Sequence, residues 1–454
     1  MVEVLPIETA ALGDRSYLVH DGEAALVIDP QRDIDRVTEL AADTGVRVTH
    51  VAETHVHNDY VTGGFALARA AGASYLVNAD DPVSFGRTPV SDGDLVEVGG
   101  GMRVRVLATP GHTFTHLAYV VEAAGEVAGV FTGGSLLYGS TGRTDLLGPD
   151  ATDTLSRAQW ASARRLAREL PDAARIFPTH GFGSFCSATQ SAATSSTIGQ
   201  EKLANPVLTL DERAYVESLL AGLDAWPAYY AHMAPANLAG PAGPDLSPPR
   251  PADAAGLRRR IEAGEWVVDL RDRIAFAAGH VPGTFSIPLD NRFATYLGWV
   301  IPWGTPLTLL GDSPAQVAQA QRELARIGID RLAATATGRP ETWAGEGGLA
   351  SMRLAKFGDL AAALAAGSGR PAVLDVRRRL EWEESHIAGA VHIPLHELPG
   401  RPAELPPGEV WVHCESGYRS IVAASMLAAR GQPVVSVNDD FTNAAAAGLP
   451  LQPA

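Results

Sequence analysis

Cys414 is one of only two cysteines among 454 residues. It lies in Val412-His413-Cys414-Glu415-Ser416-Gly417-Tyr418-Arg419-Ser420, between an apolar run and an apolar stretch with helical character. A strand feeding a short loop that opens a helix aims backbone N–H groups and the positive helix end at one sulfur, lowering its pKa and holding an anion beside it. Cys414 is therefore the candidate nucleophile, with Glu415, Ser416, Gly417 and Tyr418 forming its loop and Arg419 adding positive charge. The competing reading is a small buried hydrophobe. Histidines form a second chemical group. His55 and His57, in Thr54-His55-Val56-His57-Asn58-Asp59-Tyr60, follow the strand-like run 46–52 at i and i+2, which puts them on one side. His112, in Thr109-Pro110-Gly111-His112-Thr113, and His180, in Pro178-Thr179-His180-Gly181, each end an apolar stretch. Imidazoles placed at loop tips are candidate metal ligands, here joined by Asp59.

The Cys-x4-Arg loop is one residue shorter than the Cys-x5-Arg loop of cysteine phosphatases, and so suits a group smaller than phosphate. Here the chain resembles the rhodanese family, whose loop cysteine carries a persulfide. Asp375-Val376-Arg377, Ser385-His386-Ile387-Ala388-Gly389-Ala390 and Ile393-Pro394-Leu395 look like that family's strand, exposed loop and return strand. Asp375 and Arg377 read as a structural ion pair, and His386 as a turn brace. The pattern occurs twice: Asp269-Leu270-Arg271, Gly279-His280-Val281-Pro282-Gly283 and Ile287-Pro288-Leu289 repeat it at an offset of 106 (Asp375 against Asp269). Such a coincidence indicates duplication. The same offset sets Cys414 against Thr308, so the middle copy is expected to be inert in sulfur transfer, a spacer or docking surface.

The first 200 residues resemble the metallo-β-lactamase superfamily, a four-layer αβ/βα sandwich. Ile28-Asp29-Pro30 and Gly142-Arg143-Thr144-Asp145 look like its persulfide dioxygenases. The resemblance implies one non-haem Fe(II) per chain, with zinc as the alternative, held by two histidines and an aspartate with faces open for persulfide and O2. His55 and His112 match the two histidines; where the family has aspartate this chain has Gly134, in Phe131-Thr132-Gly133-Gly134-Ser135. Tyr60 stands where the superfamily usually has a histidine for a second metal. That leaves His55, His57 and His112, with Asp59 and His180 nearby, as a three-histidine site; the alternative is a metal-poor remnant that only binds. Gly134→Asp, given room in the loop, would then tighten iron binding. Cys186, in Gly183-Ser184-Phe185-Cys186-Ser187, resembles a cysteine near the metal of dioxygenase–rhodanese fusions and is either a sulfur carrier or an unreactive core thiol.

These motifs need an α/β chain: a metallo-β-lactamase-like domain with a helical extension over 1–234, a linker over 235–250, a degenerate rhodanese-like domain over 251–338 and a rhodanese domain over 339–454. Spacing between Leu203 and Leu223 is helical, and the run of prolines from Pro235 to Pro249 reads as a linker that no helix crosses. A net charge of −16 argues against nucleic acid and against an anionic membrane surface. Two distant cysteines suggest a reducing compartment, and the amino-terminal residues Met1 to Pro6 lack the basic and long apolar regions of a secretory signal. No run reaches the roughly 18 apolar residues of a membrane span. A soluble cytoplasmic enzyme is expected, with homo-oligomers open. The expected function is oxidation of a low-molecular-weight thiol persulfide by O2 to sulfite, with sulfane sulfur passing through Cys414 to form or use thiosulfate. The alternatives are a thioester hydrolase of glyoxalase II type and a sulfur-relay protein whose amino-terminal module does not catalyse.

Overall fold

A computed structural model describes residues 2–366, 370–405 and 407–453. The chain forms two compact units, one of residues 1–244 with 325–328 and the other of 245–324 with 329–454. Apart from residues 325–328, the two copies of the repeat, 251–338 and 339–454, fall in the second unit.

The first unit contains two six-stranded sheets. One runs in the order Glu3–Thr9, Asp14–His20, Ala24–Ile28, Arg47–Ala52, Ser74–Asn78, Thr88–Val90. The other runs Ser196–Thr197, Arg175–Pro178, Glu126–Gly133, Leu117–Ala123, Met102–Ala108, Leu95–Gly99. Alternation along each strand sorts its residues between layers. Leu26 and Ile28 face Val104, Val106, Tyr119 and Phe131 in the core shared by the sheets. Ala25 and Val27 turn the other way, towards Val37, Ala41 and Leu67 of helices Asp35–Thr44 and Gly64–Ala71. On the far face of the second sheet, Ala118, Val120 and Val130 meet Ala163 and Leu166 of helix Pro149–Glu169. Helix, sheet, sheet and helix thus form the αβ/βα sandwich, and strands buried on both faces read as continuous apolar runs.

The expected helical stretch after Leu203 is broken. Helix Pro206–Thr209 ends before Leu210, and Asp211 caps a new helix, Glu212–Gly222, by accepting from the Ala214 N–H. The linker begins later than expected, because helix Tyr230–Ala239 runs through Pro235 and stops at left-handed Gly240. Buried Asn237 anchors it by accepting from the Thr62 N–H and donating to the carbonyls of His57 and Tyr60. That anchorage outweighs the one backbone bond a proline removes.

In the second unit the copies share a strand order. Phe285–Ser286, Trp266–Asp269, Leu307–Gly311, Leu332–Thr337 corresponds to Val391–His392, Ala372–Asp375, Val410–His413, Val434–Val437, and the latter sheet adds edge strand Arg353–Ala355. In each copy an arginine clasps an aspartate two residues earlier and donates to a loop carbonyl: Arg271 to Asp269 at 2.6 Å and Gly279, Arg377 to Asp375 at 2.7 Å and Ser385. His280 and His386 each bond through Nδ1 to a carbonyl four residues back, as turn braces. Strand register corrects one expectation. Asp269 lies beside Leu310 and Asp375 beside His413, an offset of 103 for this strand (His413 against Leu310), so the counterpart of Cys414 is Gly311 rather than Thr308. A three-residue gap between the strands is invisible to ungapped counting.

Arg377→Ala leaves the Asp375 carboxylate, fully buried, without its partner, and should cost about 3–5 kcal/mol of stability. The double variant Asp375→Leu/Arg377→Leu should recover most of that in denaturant titrations; equal losses in both would contradict the ion-pair account.

Candidate functional site

Every histidine of the first unit's site sits just past the carboxyl end of a strand. Arg47–Ala52 leads to His55, His57 and Asp59, Met102–Ala108 to His112, and Arg175–Pro178 to His180. The nitrogens of His55, His112 and His180 lie within 4.8 Å of one another, all three residues being buried. Hydrogen bonds decide how each ring is protonated. His112 Nδ1 donates to the Arg143 carbonyl at 2.6 Å, and its Nε2, though buried, has no hydrogen-bond partner among the described residues. The Thr54 hydroxyl donates to Asp29 at 2.7 Å, so its contact with His55 Nδ1 at 2.9 Å must be donated by the ring. His180 Nδ1 donates to Asp14 at 2.9 Å and approaches Asp59 at 3.2 Å. Its Nε2 lies 3.4 Å from His55 Nε2, close to the separation of two tetrahedral ligands with bonds of about 2.1 Å to one ion. All three rings thus commit Nδ1 to an outer oxygen, the arrangement that orients histidine ligands. Burial, aided by neighbouring imidazoles, holds His55 well below the usual histidine pKa and His112 down at about 3. Burial alone would lower His180 too, but Asp59 and Asp14 raise it to about 10. Three imidazoles, one with an orphaned buried Nε2, fit a divalent cation whose binding displaces the His180 proton.

His57 occupies different surroundings. Its Nε2 is 3.2 Å from both Asp29 and Glu53 and 3.0 Å from the Tyr60 hydroxyl. Burial opposes its charge, yet Asp29 and Glu53 raise it to about 10. The structure groups it with Asp59 and His180, and separately with Asp29 and Glu53, rather than with His55 and His112. Tyr60 lies against its ring, with centroids 4.3 Å apart.

The condition set on Gly134→Asp, room in the loop for a side chain, is not met. A Cβ there would sit 2.3 Å from His112 Cδ2, and the Gly134 N–H donates to His116 Nε2 at 2.9 Å. The backbone itself packs on the ring, leaving no space for a side chain.

In the second unit, strand Val410–His413 ends at Cys414 and helix Tyr418–Ala428 begins three residues after the cysteine's neighbour Glu415. The Gly417 N–H donates to Cys414 Sγ at 3.2 Å. Gly417 has φ +97°, and a Cβ would strike Asn438, so the turn needs glycine there. Cys414 is buried, Glu415 is partly exposed 3.7 Å from Arg377, and Ser416 is exposed. Arg419 is clasped by Glu381 through two contacts of 2.6 Å, and Cys414 also lies within reach of its charge. Burial would raise the Glu381 carboxyl, but Arg419 holds it down to about 2. Tyr418 is buried and donates to the Pro288 carbonyl of the middle copy at 3.1 Å, so it braces the loop. In the middle copy, Gln316 accepts from the Asp312 N–H in the corresponding loop, and its Oε1 stands 2.8 Å from where a Gly311 Cβ would lie.

Cys186 is fully buried, and burial, then Asp59 and Asp14, drive its thiol well above the usual range. A protonated, enclosed thiol is a poor sulfur carrier, which favours the core-thiol reading. Sequence reasoning passed over Asp14, Glu53, Thr54 and His116 as site residues. Asp29 had been noted only as part of a motif, and its buried backbone at φ +50° gave no sequence signal. His116, four residues after His112, was the one with a visible sign.

Residues 12–180 match the Metallo-beta-lactamase superfamily, and residues 358–447 match the Rhodanese-like domain. The chain is 30% identical over 183 residues to a hydroxyacylglutathione hydrolase of Methylobacillus flagellatus, covering 40% of this chain and 67% of that protein. It is 27% identical over 205 residues to the mitochondrial persulfide dioxygenase of Homo sapiens, covering 44% of this chain and 74% of that one. A metallo-beta-lactamase from Staphylococcus aureus has a crystal structure that superposes with a TM-score of 0.66 at 27% identity, over 74% of this chain and 99% of that one. With its matches falling on the histidine pocket and on the cysteine loop, the chain belongs to the metallo-beta-lactamase superfamily and carries a rhodanese-like domain behind that fold.

Proposed function

We propose that this chain oxidises a low-molecular-weight thiol persulfide to sulfite in its first unit and moves sulfane sulfur through Cys414 in its second. The observation that carries the reading is a pocket with three outward-locked imidazoles, His55, His112 and His180, on the same chain as a thiol that receives a backbone N–H. The similarity to a persulfide dioxygenase and the rhodanese-like match support it. In the balanced reaction, persulfide, O2 and water give thiol, sulfite and two protons. The three imidazoles would hold a divalent iron, which would supply the redox chemistry for O2. Thr54, Asp14 and the Arg143 carbonyl hold the rings in register, and burial of the pocket limits water. At Cys414 the thiolate attacks the outer sulfur of a donor, the donor's inner sulfur leaves with the electron pair, and the new persulfide then gives that sulfur to sulfite as thiosulfate. The Gly417 N–H and the start of helix Tyr418–Ala428 stabilise the anionic sulfur in both steps. Two cysteines without a disulfide suit the cytoplasm.

The second reading is thioester hydrolysis, favoured by the similarity to a hydroxyacylglutathione hydrolase. Against a two-metal hydrolase stand Tyr60 packed on His57 and the sharing of His180 between two of the candidate groups. Metal content of the purified chain separates the readings: about one iron supports the dioxygenase, two zincs the hydrolase, and no metal a relay protein.

Four variants test the residues. Cys414→Ser should abolish thiosulfate:cyanide sulfur transfer with metal content unchanged; retained activity would place the chemistry elsewhere. His180→Ala should strip the metal, whereas His57→Ala should keep most of it, because His57 Nε2 is already held by Asp29 and Glu53; the reverse order would restore His57 as third ligand. Gly134→Asp should lower metal content, since its Cβ collides with His112. A gain in bound iron would show that the loop makes room.

A further inference from the structure

The middle copy reaches the cysteine loop through Arg273, the first residue of helix Arg273–Ala278. Arg273 Nε donates to Asn438 Oδ1 at 2.7 Å, the one side-chain hydrogen bond Asn438 makes among the described residues. The backbone of Asn438 is held separately, its N–H donating to the Ala355 carbonyl and its carbonyl accepting from Lys356 Nζ at 2.6 Å. Asn438 Oδ1 in turn stands where a Cβ of Gly417 would lie, and Arg273 Nε is 3.3 Å from the same point. The Gly417 N–H is the group that donates to Cys414 Sγ. A short series of contacts therefore runs from the middle copy to the sulfur.

Glycine takes φ +97° without strain, but it is not confined there, because no residue has a freer backbone. The conformation that aims its N–H at Cys414 needs a wall on the side where a Cβ would stand, and the Asn438 amide is that wall. Arg273 decides which way the amide faces. A guanidinium N–H calls for an acceptor, so the oxygen rather than the NH2 group turns towards Arg273 and Gly417. The carboxylate beside Arg273, Asp272, is 4.0 Å away and 61% exposed, too weak a partner in water to hold the guanidinium elsewhere.

We propose that Arg273 is a positioning residue for Cys414: by fixing the Asn438 amide against Gly417 it keeps the Gly417 N–H on the sulfur. The middle copy thus sets the reactivity of a cysteine it does not itself possess. This role rests on Cys414 being the nucleophile of the proposed sulfur transfer. Without Arg273 the amide is free to turn, Gly417 relaxes, and the anionic sulfur loses the donor that stabilises it.

The test is the rate at which iodoacetamide alkylates Cys414 in the full chain, followed by mass spectrometry with the Cys186 peptide as internal reference. Arg273→Met, which keeps an apolar stem, should slow alkylation about tenfold, the loss expected for one hydrogen bond to a charged group. A loop that was merely loosened would do the opposite, uncovering a cysteine that is 2% exposed and speeding the reaction. Asn438→Ala should slow alkylation by a similar factor, and the double variant no further, because both residues act through one contact. Alkylation reads the thiol whatever reaction it serves, so retained sulfur transfer in Cys414→Ser would remove the proposed function and leave this measurement standing. Unchanged or faster alkylation in Arg273→Met, an unaffected Asn438→Ala, or additive losses in the double variant would each overturn the proposal.

Discussion

The hydrogen bond from the Thr54 hydroxyl to Asp29 is the contact on which the histidine pocket depends. It spends the hydroxyl proton, so His55 must donate through Nδ1 and present a bare Nε2 to the pocket. Asp29 can accept there only because its buried charge is otherwise matched. It also takes the Thr54 N–H and the Thr179 hydroxyl and faces His57. Burial alone would push this carboxyl up, and the His57 charge with these donors instead holds it below the usual range. The ring positions therefore follow from a requirement that buried charges be paired. His57 serves Asp29 and Glu53 in that arrangement, which explains why the third imidazole facing His55 and His112 comes from His180, far along the chain.

The second unit separates frame from chemistry. The clasped Asp–Arg pair and the histidine turn brace recur in both copies with nearly the same distances, because each satisfies a buried carboxylate and a loop carbonyl that the strand order creates. The loop after the third strand is under no such demand, and there the copies diverge. One has Cys414 with the Gly417 N–H on its sulfur; the other has Gly311 with the Gln316 side chain filling the turn. The middle copy also holds the cysteine loop, through the bond from Tyr418 to the Pro288 carbonyl and the contact of Arg273 with Asn438 beside Gly417. It is more than a spacer, since removing it would leave a buried phenol without its acceptor.

The fold class, the duplication, the cysteine loop and the four histidines were legible in the sequence, because each is a local pattern: a nucleophile before a helix start, a repeated Asp-x-Arg, histidines at strand ends. The linker start was less so, since a helix can run through Pro235 once Asn237 is anchored by residues about 175 positions away. Counting at a fixed offset named Thr308 and missed Gly311, because strand register is set by pairing across the sheet.

What the sequence determined by itself was therefore the inventory: which groups could be ligands, nucleophile or ion pair, and in which elements they lie. Only the tertiary structure decided their assignments. Whether an imidazole faces a cation or a carboxylate depends on which nitrogen its neighbours claim, and those neighbours, Asp14 for His180, Asp29 for Thr54 and the Arg143 carbonyl for His112, come from other parts of the chain. Whether position 134 could hold a ligand depended on how near the backbone lies to the His112 ring. How the Arg419 guanidinium is held beside the cysteine loop depended on Glu381, and hydrogen-bond direction and steric distance of this kind are properties of the packed chain, which no local spacing encodes.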